Sequence, residues 1–208
     1  MKHYIYTPLN GQDIESLNVG DIVYLTGTIV TARDQAYKRI VVDSKPPPLD
    51  MNGMAVFHAG PVVKKYNGEY KIISIGPTTS TRMEPYESSF IKKTGIKMII
   101  GKGVIGQNTA KACSKYKAIV ALFPGGCGAL GAKSIRKVVG VYWLELGIPE
   151  ALWVLEVENM GPLIIVVDSR GKSLFEEYSM NERKISSIIN KTLNDIDNVL
   201  PSYNSNLQ

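Results

Sequence analysis

Three short stretches combine residue types that can hold a small anion. "IIGKGVIGQNT" (99–109) sets Lys102 between Gly101 and Gly103 at the end of an apolar run. "GPTTSTRM" (76–83) carries the adjacent hydroxyls of Thr78 and Thr79 followed by Arg82, and "TARD" (31–34) carries Arg33. An ammonium attracts an anion as a point charge, whereas a guanidinium can grip a carboxylate with two parallel N–H donors, and threonine hydroxyls complete the hydrogen-bond shell. Each cation stands where a β-like run stops. Taken alone, Arg33 or Arg82 is expected to pair with Asp34 or Glu84, and Lys102 to sit solvated in a glycine turn. Their repetition at strand ends favours a site for both carboxylates of a small dicarboxylic acid.

The spacing G-x-G-x-x-G in the first stretch also raises a dinucleotide site. That chemistry requires a strand, a glycine turn, a helix and an acidic residue about 20 residues later for the ribose hydroxyl. The following strand instead ends in "ALFPGG", with Phe123, Pro124 and Gly125 where the acid belongs. Walker A order is absent as well. What remains of the motif is the lysine between the glycines.

Metal chemistry finds little in the chain itself. Cys113 and Cys127 form no C-x-x-C pair, and His3 and His58 are far apart, so no local ligand spacing assembles. Buried reduced thiols are the expected state. His58 in "VFHAGP" is expected to be a packed or hydrogen-bonded residue and is left outside the site. Asp34 is expected to orient Arg33 or cap the helix that follows. The loop "GGCGALGAK" offers backbone amides as a minor contribution to carboxylate binding.

The elements that must position these groups alternate between β-like and helical runs, an α/β pattern without repeats. "DIVYLTGTIVTA" (21–32) reads as a strand, with a helix starting near Asp34. "MAVFHAG" and "YKIISIG" read as strands, with the turn "YNGE" marking a hairpin. A helix over 85–94 stopped by Gly95, a strand over 96–100, a helix over 107–116 and a strand "AIVALF" follow. "PGGCGALGAK" (124–133) reads as a loop. "EALWVLEVENMGPLIIVVD" (150–168) reads as two strands around a Gly-Pro turn. Beyond residue 178, Ile185, Ile188, Ile189 and Leu193 keep helical spacing before a Ser/Asn-rich end, so 1–178 form the domain and 179–208 a peripheral helix and polar tail.

An apolar fraction of 44% over 208 residues excludes whole-chain disorder. No run of about 18 apolar residues exists, and the N-terminus lacks a signal-peptide core, so no membrane and a cytoplasmic location are expected. The net charge of +5 is spread without a basic block, which argues against a nucleic-acid partner.

Five stretches, "TGTIVTARDQAYKR", "PLDMNGMAVFHAGP", "GPTTSTRMEPYESSFIKKTGIKMIIGKGVIG", "ALFPGGCGALGAKSIRKV" and "LEVENMGPLIIVVDSRG", resemble in that order the β subunit of class I fumarate hydratase. The β subunit of L-tartrate dehydratase, of the same iron-sulfur hydro-lyase family, is similar. The resemblance runs from about residue 17 to 177, and the C-terminal ending departs from it. It implies a swivelling β/β/α domain, as in the class I fumarase C-terminal domain. It also implies a separate α subunit whose three cysteines hold a 4Fe-4S cluster, with an α2β2 heterotetramer as the family assembly. Arg33, Thr78, Thr79, Arg82 and Lys102 are then substrate-binding. Thr78 is the implied catalytic base for the C3 proton of (S)-malate, with the cluster's iron acting on the C2 hydroxyl and a partner aspartate protonating it. A threonine is a poor base in water, so Arg82 or Lys102 must stabilise an alkoxide-like state. No metal is expected on this chain. Three functions stay open: fumarate hydratase first, L(+)-tartrate dehydratase second, and a non-enzymatic anion-binding domain third.

Overall fold

The structure, a computed structural model, describes residues 1–176, 185–187 and 189–190. The chain divides into two compact units, Met1–Leu174 and Phe175–Gln208. In the second, residues 185–187 and 189–190 are helical; the rest of the helix and the tail expected over 179–208 lie outside the described residues.

In the first unit the elements run β1 (Lys2–Tyr6), α1 (Gly11–Ser16), β2 (Ile22–Thr31), α2 (Asp34–Val41), β3 (Ala55–Phe57), β4 (Val62–Tyr66) and β5 (Glu69–Ser74). A 3-10 turn (Ser80–Arg82) leads into α3 (Glu84–Thr94), β6 (Met98–Gly101), α4 (Gln107–Tyr116), β7 (Ile119–Leu122), α5 (Gly128–Ser134), β8 (Ile135–Tyr142) and β9 (Leu152–Val167). The fold is α/β.

The large sheet has the order β1-β2-β3-β6-β7-β9-β8, and β9 also pairs with β2. That second pairing closes β2, β3, β6, β7 and β9 into a ring. β2, β3, β6 and β7 are mutually parallel, while β9 runs antiparallel to β7 and β2. Alternate residues of the ring strands, among them Leu25, Phe57, Ile100, Ala121, Trp153 and Leu155, are buried in one apolar cluster. The intervening Val56, Ile99 and Val120 are buried too. Burial of successive residues shows that both faces of these strands are covered, which is why "MII" and "IVAL" read as unbroken apolar runs. Each large side chain so buried contributes about 1.5–3 kcal/mol.

Several expectations hold. The hairpin forms at "YNGE", with Asn67 and Gly68 at φ +49° and +86° and Tyr66 opposite Glu69, the left-handed pair a tight two-residue turn requires. α3 stops at Gly95, whose φ is +70°. Two expectations are corrected. The stretch 124–133 is not all loop, because α5 begins at Gly128. Its glycines look like turn residues, yet a Cβ at Gly131 would overlap the Ile75 carbonyl, so glycine there serves close packing of the helix on the end of β5. The stretch 150–168 is one strand rather than two. Both halves of β9 pair with the same neighbour, from Val30↔Val154 to Ile22↔Ile164, and the register shifts near the Gly-Pro pair without ending the ladder.

Candidate functional site

The expected residues meet because three parallel strands end at one level. Thr31 of β2 is paired with Phe57 of β3, and Phe57 with Ile100 of β6. Their carboxyl ends therefore present Arg33, His58 and Lys102 along one edge, where ligand sites of parallel α/β sheets form. The 76–83 loop lies along that edge through bridges Ala59↔Pro77 and Thr79↔Lys102. The Ser80 N–H donates to the Lys102 carbonyl at 2.9 Å.

Arg82 and Thr78 are in direct contact, the Arg82 Nη2 donating to Thr78 Oγ1 at 2.8 Å. The same guanidinium forks onto Asp34, Nε to Oδ1 at 3.0 Å and Nη2 to Oδ2 at 3.1 Å. This hydrogen-bonded pairing holds the Asp34 carboxyl below its ordinary range and pushes Arg82 up from its own. Asp34 thus orients Arg82 rather than Arg33, a correction to the sequence expectation. Glu84, the other expected partner, accepts instead from the N–H groups of Gly106 and Thr109 and from the Thr109 hydroxyl, which caps α4.

Arg33 has a different acid. Its Nη2 lies 3.1 Å from Glu150 Oε1, and Glu150 Oε2 accepts the Gln35 N–H at 3.0 Å. The Arg33 Nε is buried without a hydrogen-bond partner. Sequence reading missed Glu150, which lies 117 residues away on the approach to β9. Glu150 also favours the charged form of Arg82, and Arg33 that of Asp34. The four side chains form a quartet of two guanidiniums and two carboxylates with no net charge. Lys102 differs: among the described residues its ammonium has no ion-pair partner, and its stem runs beside Gly125. All five expected residues are brought to one edge, and Lys102 carries its uncompensated charge.

The chain's thiols do not make a cluster site. Cys113 is buried and its thiol is pushed well up by that burial. Cys127 is half-buried at the start of α5, packed against the core. Among the described residues no group of three or more His, Cys, Asp or Glu could hold a metal ion. α5 has seven residues and packs on β5, and Gly125 in the loop before it lies beside the Lys102 stem. Among the described residues no helix is long and apolar enough to cross a membrane.

Four parallel strands closed into a ring by an antiparallel fifth, with Arg33, Arg82 and Lys102 along one edge, define an α/β domain with a cation-bearing edge. More particularly, residues 4–178 match the family described as Fumarase C-terminus, and the chain belongs to that family. It is 45% identical over 177 residues to "L(+)-tartrate dehydratase subunit beta" of Escherichia coli (strain K12), covering 85% of this chain and 88% of that protein. It is 46% identical over 180 residues to "Putative L(+)-tartrate dehydratase subunit beta" of Methanocaldococcus jannaschii, covering 85% and 92%. It is 38% identical over 174 residues to "Putative fumarate hydratase class I" of Geobacillus stearothermophilus, covering 83% of this chain and 33% of that longer protein. Dehydratases and hydratases of this kind are hydro-lyases.

Proposed function

We propose that this chain is the β subunit of a two-component hydro-lyase that removes water from, or adds it to form, a small hydroxy-dicarboxylic acid. The observation that carries the reading is the Arg82–Thr78 contact, backed by Asp34 and set beside Lys102. Lys102 attracts one carboxylate, and Arg33 and Thr79 offer donors to the other. Thr78 Oγ1, as the alkoxide that the Arg82 N–H aimed at it stabilises, takes the C3 proton and becomes a neutral hydroxyl, while the C2 hydroxyl leaves as water with a proton supplied by the α subunit. Holding Arg82 on Asp34 keeps the donor in place before substrate arrives.

In this reading a 4Fe-4S cluster belongs to a separate α subunit in an α2β2 assembly, since this chain lacks the thiols for it. The closed ring with flanking helices supports the swivelling β/β/α arrangement, over a domain of residues 1–178 with 179–208 peripheral, in a cytoplasmic enzyme. Two substrates are favoured by different relatives. L(+)-tartrate is supported by the names of the relatives at 45–46% identity, and the malate–fumarate pair by the relative at 38%. The test is anaerobic co-expression with an α subunit, followed by turnover of malate, fumarate and L(+)-tartrate. Turnover of one pair assigns the substrate; binding of the acids without turnover by the cluster-loaded complex would make this an anion-binding domain.

A further inference from the structure

Beneath the candidate site lies a wholly buried polar chain that the chemistry above does not use. It joins Tyr37 of α2, His58 after β3, Ser80 of the 3-10 turn and Glu87 of α3, all at 0% exposure. His58 Nδ1 is 2.9 Å from Ser80 Oγ and Nε2 is 2.7 Å from Tyr37 Oη. The Tyr37 hydroxyl donates to Glu87 Oε2 at 3.0 Å, and His58 Nε2 also lies 3.2 Å from Glu87 Oε1.

The backbone of the same histidine reaches the site. Its N–H donates to the Ile100 carbonyl at 2.8 Å, two residues before Lys102, and its carbonyl accepts the Thr78 N–H at 2.6 Å. Tyr37 in turn donates its N–H to the Arg33 carbonyl at 2.9 Å. One residue is thus bonded, directly or through one neighbour, to each segment that carries a candidate substrate group. We infer that His58 is the positioning residue of the site: its imidazole pins Ser80, and its carbonyl pins Thr78, against the ends of β2 and β6.

The proton pattern is consistent along the chain, and only Glu87 Oε1, 3.2 Å from His58 Nε2, lacks a hydrogen bond of its own. Burial, with Glu87 beside it, keeps the Tyr37 phenol protonated and donating to the carboxylate. His58 Nε2–H then donates to Tyr37 Oη, leaving Nδ1 to accept the Ser80 hydroxyl proton. The bonds along Ser80, His58, Tyr37 and Glu87 Oε2 resist opening, because breaking one strands a further polar group without water. Room for it depends on Gly101, where a Cβ would overlap the Ser80 hydroxyl and lie 3.1 Å from His58 Nδ1.

Because the inference rests on the hydro-lyase reading, its test carries one readout that needs turnover and one that does not. Complexes with the α subunit are made with wild-type chain, His58→Asn, His58→Gln, Ser80→Ala and Tyr37→Phe. For each, kcat, KM, melting temperature and amide hydrogen exchange over 78–82 are measured. An asparagine amide reaches the Nδ1 position and keeps Ser80 tethered; a glutamine amide reaches Nε2 and keeps only Tyr37. Positioning predicts that His58→Gln and Ser80→Ala lose about tenfold or more in kcat with little change in KM. His58→Asn should retain several times the kcat of His58→Gln at a matched melting temperature. Exchange over 78–82 should quicken in His58→Gln and Ser80→Ala while α3 stays protected. A loss of kcat that follows melting temperature across all four variants, or exchange over 78–82 that does not change, overturns the inference. Faster exchange with a wild-type complex inert to all three acids would instead sink the hydro-lyase reading and leave the positioning role standing.

Discussion

Arg82 grips Asp34 with two parallel hydrogen bonds, and its Nη2 also donates to Thr78 Oγ1. The guanidinium is therefore held by an acid from the start of α2 while it serves a hydroxyl of its own loop. With Arg33 matched by Glu150, both arginines are oriented by carboxylates, and among the described residues Lys102 is the cation of this edge without an ion-pair partner, the charge on which the proposed anion site relies.

Lys102→Ala should accordingly cost more in kcat/KM than Lys102→Arg, which keeps the charge. A lost charge-assisted contact is worth about 1.5–3 kcal/mol, or roughly ten- to a hundredfold. Steady-state kinetics of the reconstituted complex measure it. Wild-type kinetics for Lys102→Ala would remove this residue from the site.

The fork should be visible in acid. Asp34 titrates lower in the folded chain than an unfolded aspartate's value of about 3.9. Its stabilising contribution is thus complete above that value and is lost as pH falls through the depressed folded value. Thermal melts between about pH 6 and pH 2 should show Asp34→Asn melting below wild type at the upper end, with the gap closing at the lower. A gap that is constant with pH would contradict the pairing.

Gly101→Ala tests the space above Ser80. Its Cβ meets the Ser80 hydroxyl and the His58 ring, neither at the end of a long flexible side chain. Overpacking of this kind costs about 1–3 kcal/mol, so the melting temperature should fall by several degrees. An unshifted melt would mean that the loop yields freely.

Glu84 should prove a stability residue. It accepts two backbone N–H groups and one hydroxyl around the start of α4, so Glu84→Ala should destabilise by about 1–2 kcal/mol, in line with the loss of a helix cap. Denaturant unfolding gives the value, and a change below about 0.5 kcal/mol would demote the contact.

The isolated chain should be colourless and bind no stoichiometric iron and sulfide. In a thiol titration of the native chain Cys127 should react well before Cys113, whose burial raises its thiol far above neutrality. Iron and sulfide bound by this chain alone, or equal reactivity of both thiols, would revise the roles given to these cysteines.

Much of the local structure was legible in the residues themselves. Alternating β-branched residues marked β2, Asn67-Gly68 the hairpin and Gly95 the end of α3, because each depends on backbone conformations that neighbouring residues dictate. α5 and β9 were misread for the opposite reason. Glycines that serve a close approach to Ile75 look identical in sequence to glycines that serve a turn. A Gly-Pro pair inside a strand reads as its end unless the long partner strand β2 is known.

The site divides along the same line. Residue type and strand-end position nominated Arg33, Thr78, Thr79, Arg82 and Lys102, since charge and hydrogen-bonding capacity belong to the side chain wherever it sits. Sequence could not say which of the two arginines Asp34 serves, that Glu150 crosses 117 positions to Arg33, or that His58 sits under all of them. Those relations come from the register of three parallel strands, and a hydrogen bond depends on distances that only the closed fold sets. The sequence by itself determined which groups could bind an anion; the tertiary structure decided which of their charges remain uncompensated and which buried histidine holds them in place.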